Sequence, residues 1–91
     1  MNTKKYNSYE DPSHGWIEVE KTELKHLGIA KQITPYSYMK GNKAYLEEDC
    51  DFSLFYKTKE AAGEKIDMNT DLNEHTTNSR SQIRFYDTYK P

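Results

Sequence analysis

Ninety-one residues, 34% of them hydrophobic and 31% charged, limit this chain to one domain with a small core. A net charge of −2 supplies neither the basic excess of a nucleic-acid binder nor the acidic excess of a phosphate-backbone mimic. A single cysteine rules out an internal disulfide, and no stretch approaches the ~18 apolar residues of a membrane span. The expectation is a soluble, cytoplasmic protein with no signal peptide.

Residues 1–10 are polar and unpatterned and read as a flexible N-terminal arm, with residues 11–91 as the single domain. Asp11-Pro12-Ser13-His14-Gly15 is dense in turn formers. Trp16-Ile17-Glu18-Val19 follows as a short strand. Thr22 is an N-cap candidate for a helix of about two turns, with Leu24 and Leu27 at helical spacing and Gly28 ending it. Ile29 and Ile33 continue its apolar face. Beyond Pro35, the runs Tyr36–Lys40 and Lys43–Glu47 flank Gly41-Asn42, the signature of a two-residue hairpin.

Asp49 and Asp51 both suit the N-cap of a second helix over 51–62, whose apolar stripe carries Phe52, Phe55, Tyr56 and Ala62 before Gly63. Ile66 and Met68 alternate with charges as a strand. Residues 69–79 read as a long loop containing His75. Gln82–Tyr86 alternates as a closing strand. This order implies an α+β fold: a small antiparallel sheet of about four or five strands with two helices packed on one face.

Glu47, Glu48, Asp49 and Asp51 crowd four carboxylates into five positions. They could take a hard cation, or they could oppose the positive end of a helix dipole; their spacing matches no known metal loop, which favours the second reading. Histidines 14, 26 and 75 lack zinc-ligand spacing. His14 reads mainly as a turn-holding residue, and His26 as exposed. Cys50 beside so many carboxylates is a poor thiolate and reads as a small buried residue. Tyr36, Tyr38 and Tyr45 occupy the hairpin, where Tyr36 and Tyr38 share a face by strand period. Arg80 and Arg84 lie beside Phe85 and Tyr86. No phosphate loop, dinucleotide fingerprint or hydrolase motif occurs, so no catalytic residue, metal or cofactor is assigned.

The stretches Asp11-Pro12-Ser13-His14-Gly15-Trp16, Tyr36-Ser37-Tyr38 and Tyr45-Leu46-Glu47-Glu48-Asp49-Cys50-Asp51 resemble a group of small uncharacterised proteins carried by bacteriophages, plasmids and bacterial genomes. Ser13 departs from the glycine expected in that pattern. The resemblance spans roughly residues 11–56, with Ile83–Tyr86 similar to the closing strand. It implies a mobile-element accessory protein and carries no activity of its own. With eight tyrosines and no reactive constellation, the expected function is binding a host protein, including one of a bacterial defence system, or a second copy of the chain.

The partner-binding residues expected are His14, Trp16, Tyr36, Tyr38, Tyr45, Glu47, Glu48, Asp49, Arg84 and Tyr86. Two alternatives carry less support. One is a nucleotide or nucleic-acid binder using Arg80, Arg84 and the aromatics. The other is a metal-dependent enzyme using His14 with Glu48, Asp49 or Asp51.

Overall fold

The computed structural model describes residues 6–68 and 70–91. Its elements run β1 (Tyr6–Glu10), β2 (Gly15–Glu20), α1 (Lys21–His26), a 3-10 turn at Ala30–Gln32, β3 (Tyr38–Lys40), β4 (Lys43–Glu47), α2 (Asp51–Ala61), β5 (Leu72–Thr76), a 3-10 turn at Gln82–Phe85 and β6 (Asp87–Thr88). The strands form one open sheet in the order β5-β1-β2-β4-β3-β6. The α+β class is as expected. The sheet is larger than expected and mixed, because β5 runs parallel to β1 while every other pair is antiparallel.

Alternation along β2 and β4 decides how the two faces are used. Ile17 and Val19 point with Ala44 and Leu46 towards the helices, where Leu24 of α1 and Phe52 and Phe55 of α2 close the main core. Trp16 and Tyr45 point the other way. Both α-helices pack on the first face, so among the described residues the second has no α-helical cover.

The Gly41-Asn42 hairpin forms as its residues dictate, with Gly41 at φ 60°, a conformation that a two-residue turn requires and a side chain resists. Helix α1 starts from Glu20 and not from Thr22, and α2 from Cys50 with Asp51 as its first residue; neither start has a side-chain cap.

Four sequence expectations are corrected. The arm read over residues 1–10 is strand β1 from Tyr6 onward, while residues 1–5 lie outside the described set. Tyr6 fills the helix-side core and Tyr9 the opposite face, so two tyrosines supply what aliphatic alternation supplies elsewhere. The loop read over 69–79 contains β5, held by backbone pairing to β1 and not by apolar patterning; position 69 lies outside the described residues. Ile66 and Met68 form no strand; Ile66 is buried and Met68 exposed.

The closing strand over 82–86 is a 3-10 turn with a capped start, the Ser81 side chain accepting from the Ile83 amide. That geometry buries Ile83 and leaves Phe85 73% exposed, although alternation had put them on one face.

Candidate binding face

Asp11 organises one end of the second face. Its Oδ1 accepts the backbone N–H groups of Ser13 and His14, an Asx turn that the Asp-Pro sequence favours. Its Oδ2 accepts the Ser81 amide, seventy residues away. Arg84 completes the set with two parallel bonds, Nε to Oδ2 at 2.6 Å and Nη2 to Oδ1 at 3.0 Å. The Asp11 side chain is 1% exposed. The guanidinium in turn lies over the Trp16 ring at 5.3 Å. One carboxylate thus ties the β1–β2 turn to the C-terminal segment and sets Arg84 on the indole.

Arg84 first, and then the Ser81, His14 and Ser13 amides against an opposing burial cost, hold the Asp11 carboxyl well below the usual carboxylate range. A carboxyl lowered on folding contributes stability that is fully present above its unfolded value of ~3.9 and is lost as pH falls through the folded value. Thermal unfolding between neutral and strongly acid pH is expected to show this acid loss in the native protein. Asp11→Asn should lower the neutral-pH midpoint and flatten the acid limb. Parallel curves for the two proteins would refute the assignment.

Around Trp16 the second face is aromatic. Tyr38 meets Trp16 edge-on at 6.1 Å, Tyr9 meets Tyr45 at 6.0 Å, and Tyr45 meets Tyr86 at 5.1 Å. Trp16, Tyr45 and Ile83 are buried, whereas Tyr9, Tyr38 and Tyr86 remain half-exposed. Lys40 lies over the Tyr86 ring, and Lys43 pairs with Glu20 at the edge. Burial, followed by the Glu18 carboxylate beside its hydroxyl, pushes the Tyr45 phenol up; Tyr9 is raised by burial and then by Glu18. These phenols therefore stay protonated and able to donate across the neutral range.

The residues expected from sequence divide accordingly. Trp16, Tyr38, Tyr45, Arg84 and Tyr86 are brought together on this face. Tyr36 is not among them, for it stands in the turn before β3 and is 78% exposed, so it does not share a strand face with Tyr38. His14 is exposed, its ring 6.2 Å from Trp16; the turn is held by its backbone groups and Asp11, and not by its imidazole.

Glu47 holds the turn that leads into α2, its carboxylate accepting from the Asp49 and Cys50 amides. Glu48 and Asp49 are exposed at the same corner, where burial and then Asp49, Glu10 and Glu47 raise the Glu48 carboxyl against the lowering effect of His14. Cys50, read as buried, is exposed because it precedes α2 at the rim and does not lie within the helix stripe. Among the described residues no group of three or more His, Cys, Asp or Glu side chains is placed to hold a metal ion.

Sequence reasoning missed two members of the face. Tyr9 lay in the supposed arm; its only signal was the pair Tyr6 and Tyr9, an odd spacing that sends two rings to opposite faces of a strand. His75 lay in the supposed loop. It stacks on Tyr9 at 4.9 Å because β5 pairs in register with β1, and no local pattern announces that.

Comparison with known proteins returns no match among family models, curated proteins or solved structures. Among the described residues no helix is long and apolar enough to cross a membrane.

Proposed function

We propose that this chain is a non-enzymatic binding protein that docks on another protein through the tyrosine-bearing face of its sheet. The resemblance read in the sequence to phage- and plasmid-borne accessory proteins points to a host protein as the partner, with a component of a bacterial defence system as the class proposed. The observation that carries the reading is the half-exposed set Tyr9, Tyr38 and Tyr86, seated on buried Trp16 and Tyr45 on the face that among the described residues has no α-helical cover, and rimmed by Lys40, Lys43, Glu18 and Glu20. An amphipathic aromatic centre within a charged rim is the composition of protein interfaces. Tyrosine loses little side-chain entropy when a partner covers it, since only two torsions are fixed.

The test is affinity capture from bacterial lysate with the tagged wild-type chain and with Tyr86→Ala, each first shown to be folded by circular dichroism. One stoichiometric partner is expected with the wild type, and an affinity loss of about 30-fold in the variant if Tyr86 is a central anchor. Size-exclusion chromatography with light scattering separates a second copy of the chain from a foreign partner. Repeated failure to retain any partner, or undiminished capture by Tyr86→Ala, would count against the reading.

A further inference from the structure

The turn Pro12–Ser13, the segment 78–80 and Arg84 line an open cavity of about 340 Å³ beside the Asp11 hub. Its charge balance is one-sided in an unexpected way. Asp11 is the one acid on its wall, and that carboxylate already accepts five hydrogen bonds, from the Ser13, His14 and Ser81 amides and twice from Arg84. Its acceptor capacity is used up.

The donors are not. Arg84 spends its Nε and one Nη2 hydrogen on Asp11 and lies over Trp16, which leaves its Nη1 end without a hydrogen-bond partner among the described residues. Arg80 lies over the Phe85 ring at 5.3 Å and makes no hydrogen bond or ion pair among the described residues. Ser13, Asn78 and Ser79 add neutral polar side chains to the same wall. Two guanidinium groups, one of them fixed in orientation on both an edge and a face, beside small polar side chains suit a tetrahedral oxyanion.

We propose that this cavity binds a phosphate group, free or as a phosphate monoester, between Arg80 and the unengaged end of Arg84. The proposal does not depend on the protein-binding reading, although Arg84 belongs to both places, lining this cavity with one end and lying over Trp16 of the aromatic face. Phe85, 73% exposed next to Arg80, offers a ring on which the base of a nucleoside monophosphate could stack.

The experiment is a titration of the ¹⁵N-labelled chain with inorganic phosphate at constant ionic strength, with chloride as the matched control. Saturable shifts at the amides of Ser13, Ser79 and Arg80, absent with chloride, are expected with a dissociation constant of about 1 mM or tighter. Arg80→Gln touches none of the Asp11 contacts, so it should fold as the wild type and weaken binding about tenfold through loss of one charged donor. Absence of saturable shifts, equal shifts with chloride, or unchanged affinity in Arg80→Gln would each overturn the proposal.

A parallel titration with a nucleoside monophosphate identifies the source. Tighter binding than phosphate, with the gain removed by Phe85→Ala, supports the pocket as a nucleotide site. Equal binding supports it as a site that reads the phosphate alone.

Discussion

Asp51→Ala is expected to destabilise the fold by about 3–4 kcal/mol, because it strands several buried donors at once. The Asp51 side chain sits at the first position of α2 and is only 2% exposed. A single oxygen, Oδ2, accepts the Thr34 amide at 3.0 Å, the Thr34 hydroxyl at 2.7 Å and the Ser37 hydroxyl at 2.6 Å.

Ser37, fully buried, passes the arrangement on. Its hydroxyl accepts the Glu47 amide at the end of β4, and its carbonyl accepts the Tyr89 amide after β6. Alanine would leave the half-buried Thr34 N–H and hydroxyl and the buried Ser37 hydroxyl without their acceptor, each at a cost of about 1–3 kcal/mol before relaxation. Asp51→Asn keeps a carbonyl oxygen in place and should recover a large part of the loss. Urea unfolding followed by tryptophan fluorescence measures both, with Trp16 as the sole reporter. A loss below about 1 kcal/mol for alanine would show that the turn relaxes around the missing oxygen. The same variant is expected to loosen the Thr34–Ser37 turn, and so the placement of Tyr36, the most exposed of the large side chains on it.

Lys59→Ala is expected to cost about 3 kcal/mol, at the lower end of the range for breaking a buried ion pair. The Lys59 ammonium lies 2.8 Å from Glu23 Oε2 and 3.3 Å from Glu64 Oε1; its side chain is 8% exposed and that of Glu23 12%. Burial alone would lower the Lys59 pKa, but the Glu23 carboxylate and the Tyr6 hydroxyl outweigh it and hold the amine above its usual range. The phenol of Tyr6, which donates to Glu23 at 3.0 Å, is pushed up to about 12 by burial and then by the Glu23 charge.

Without the ammonium, the Glu23 carboxylate faces Tyr6 and the low-dielectric end of the core without the counter-charge that Lys59 supplies. The open cleft of about 490 Å³ beside it admits water, and for that reason the loss should stay at the low end. Lys59→Met, which removes the charge but keeps a buried apolar stem at this position of α2, should cost less than alanine. Should the double variant Lys59→Met with Glu23→Gln be no more stable than either single one, the pair would contribute more than a desolvated charge repaid by its partner.

Much of this molecule was legible in local chemistry. The Gly41-Asn42 turn, the 51–61 helix and the Leu24, Phe52 and Phe55 core positions each follow from backbone freedom or apolar period within a dozen residues. The Asp-Pro turn was legible too, although its role was not. That Asp11 would also receive Ser81 and Arg84 depends on bringing together positions seventy or more residues apart, and composition holds no record of that distance.

The candidate face divides along the same line. Trp16, Tyr38 and Tyr45 could be selected from the alternation of their own strands, whereas Tyr9 and His75 belong to it because β1 and β5 find register in a mixed sheet. Tyr36 shows the converse, for period two placed it beside Tyr38 until the Asp51 hub bent the chain between them. Local sequence determined which segments were helix, strand or turn wherever apolar period or glycine geometry was strong. Tertiary pairing decided the polar strands β1 and β5 and the 3-10 turn at Gln82–Phe85, because their backbone hydrogen bonds and buried carboxylate contacts are made with partners far along the chain.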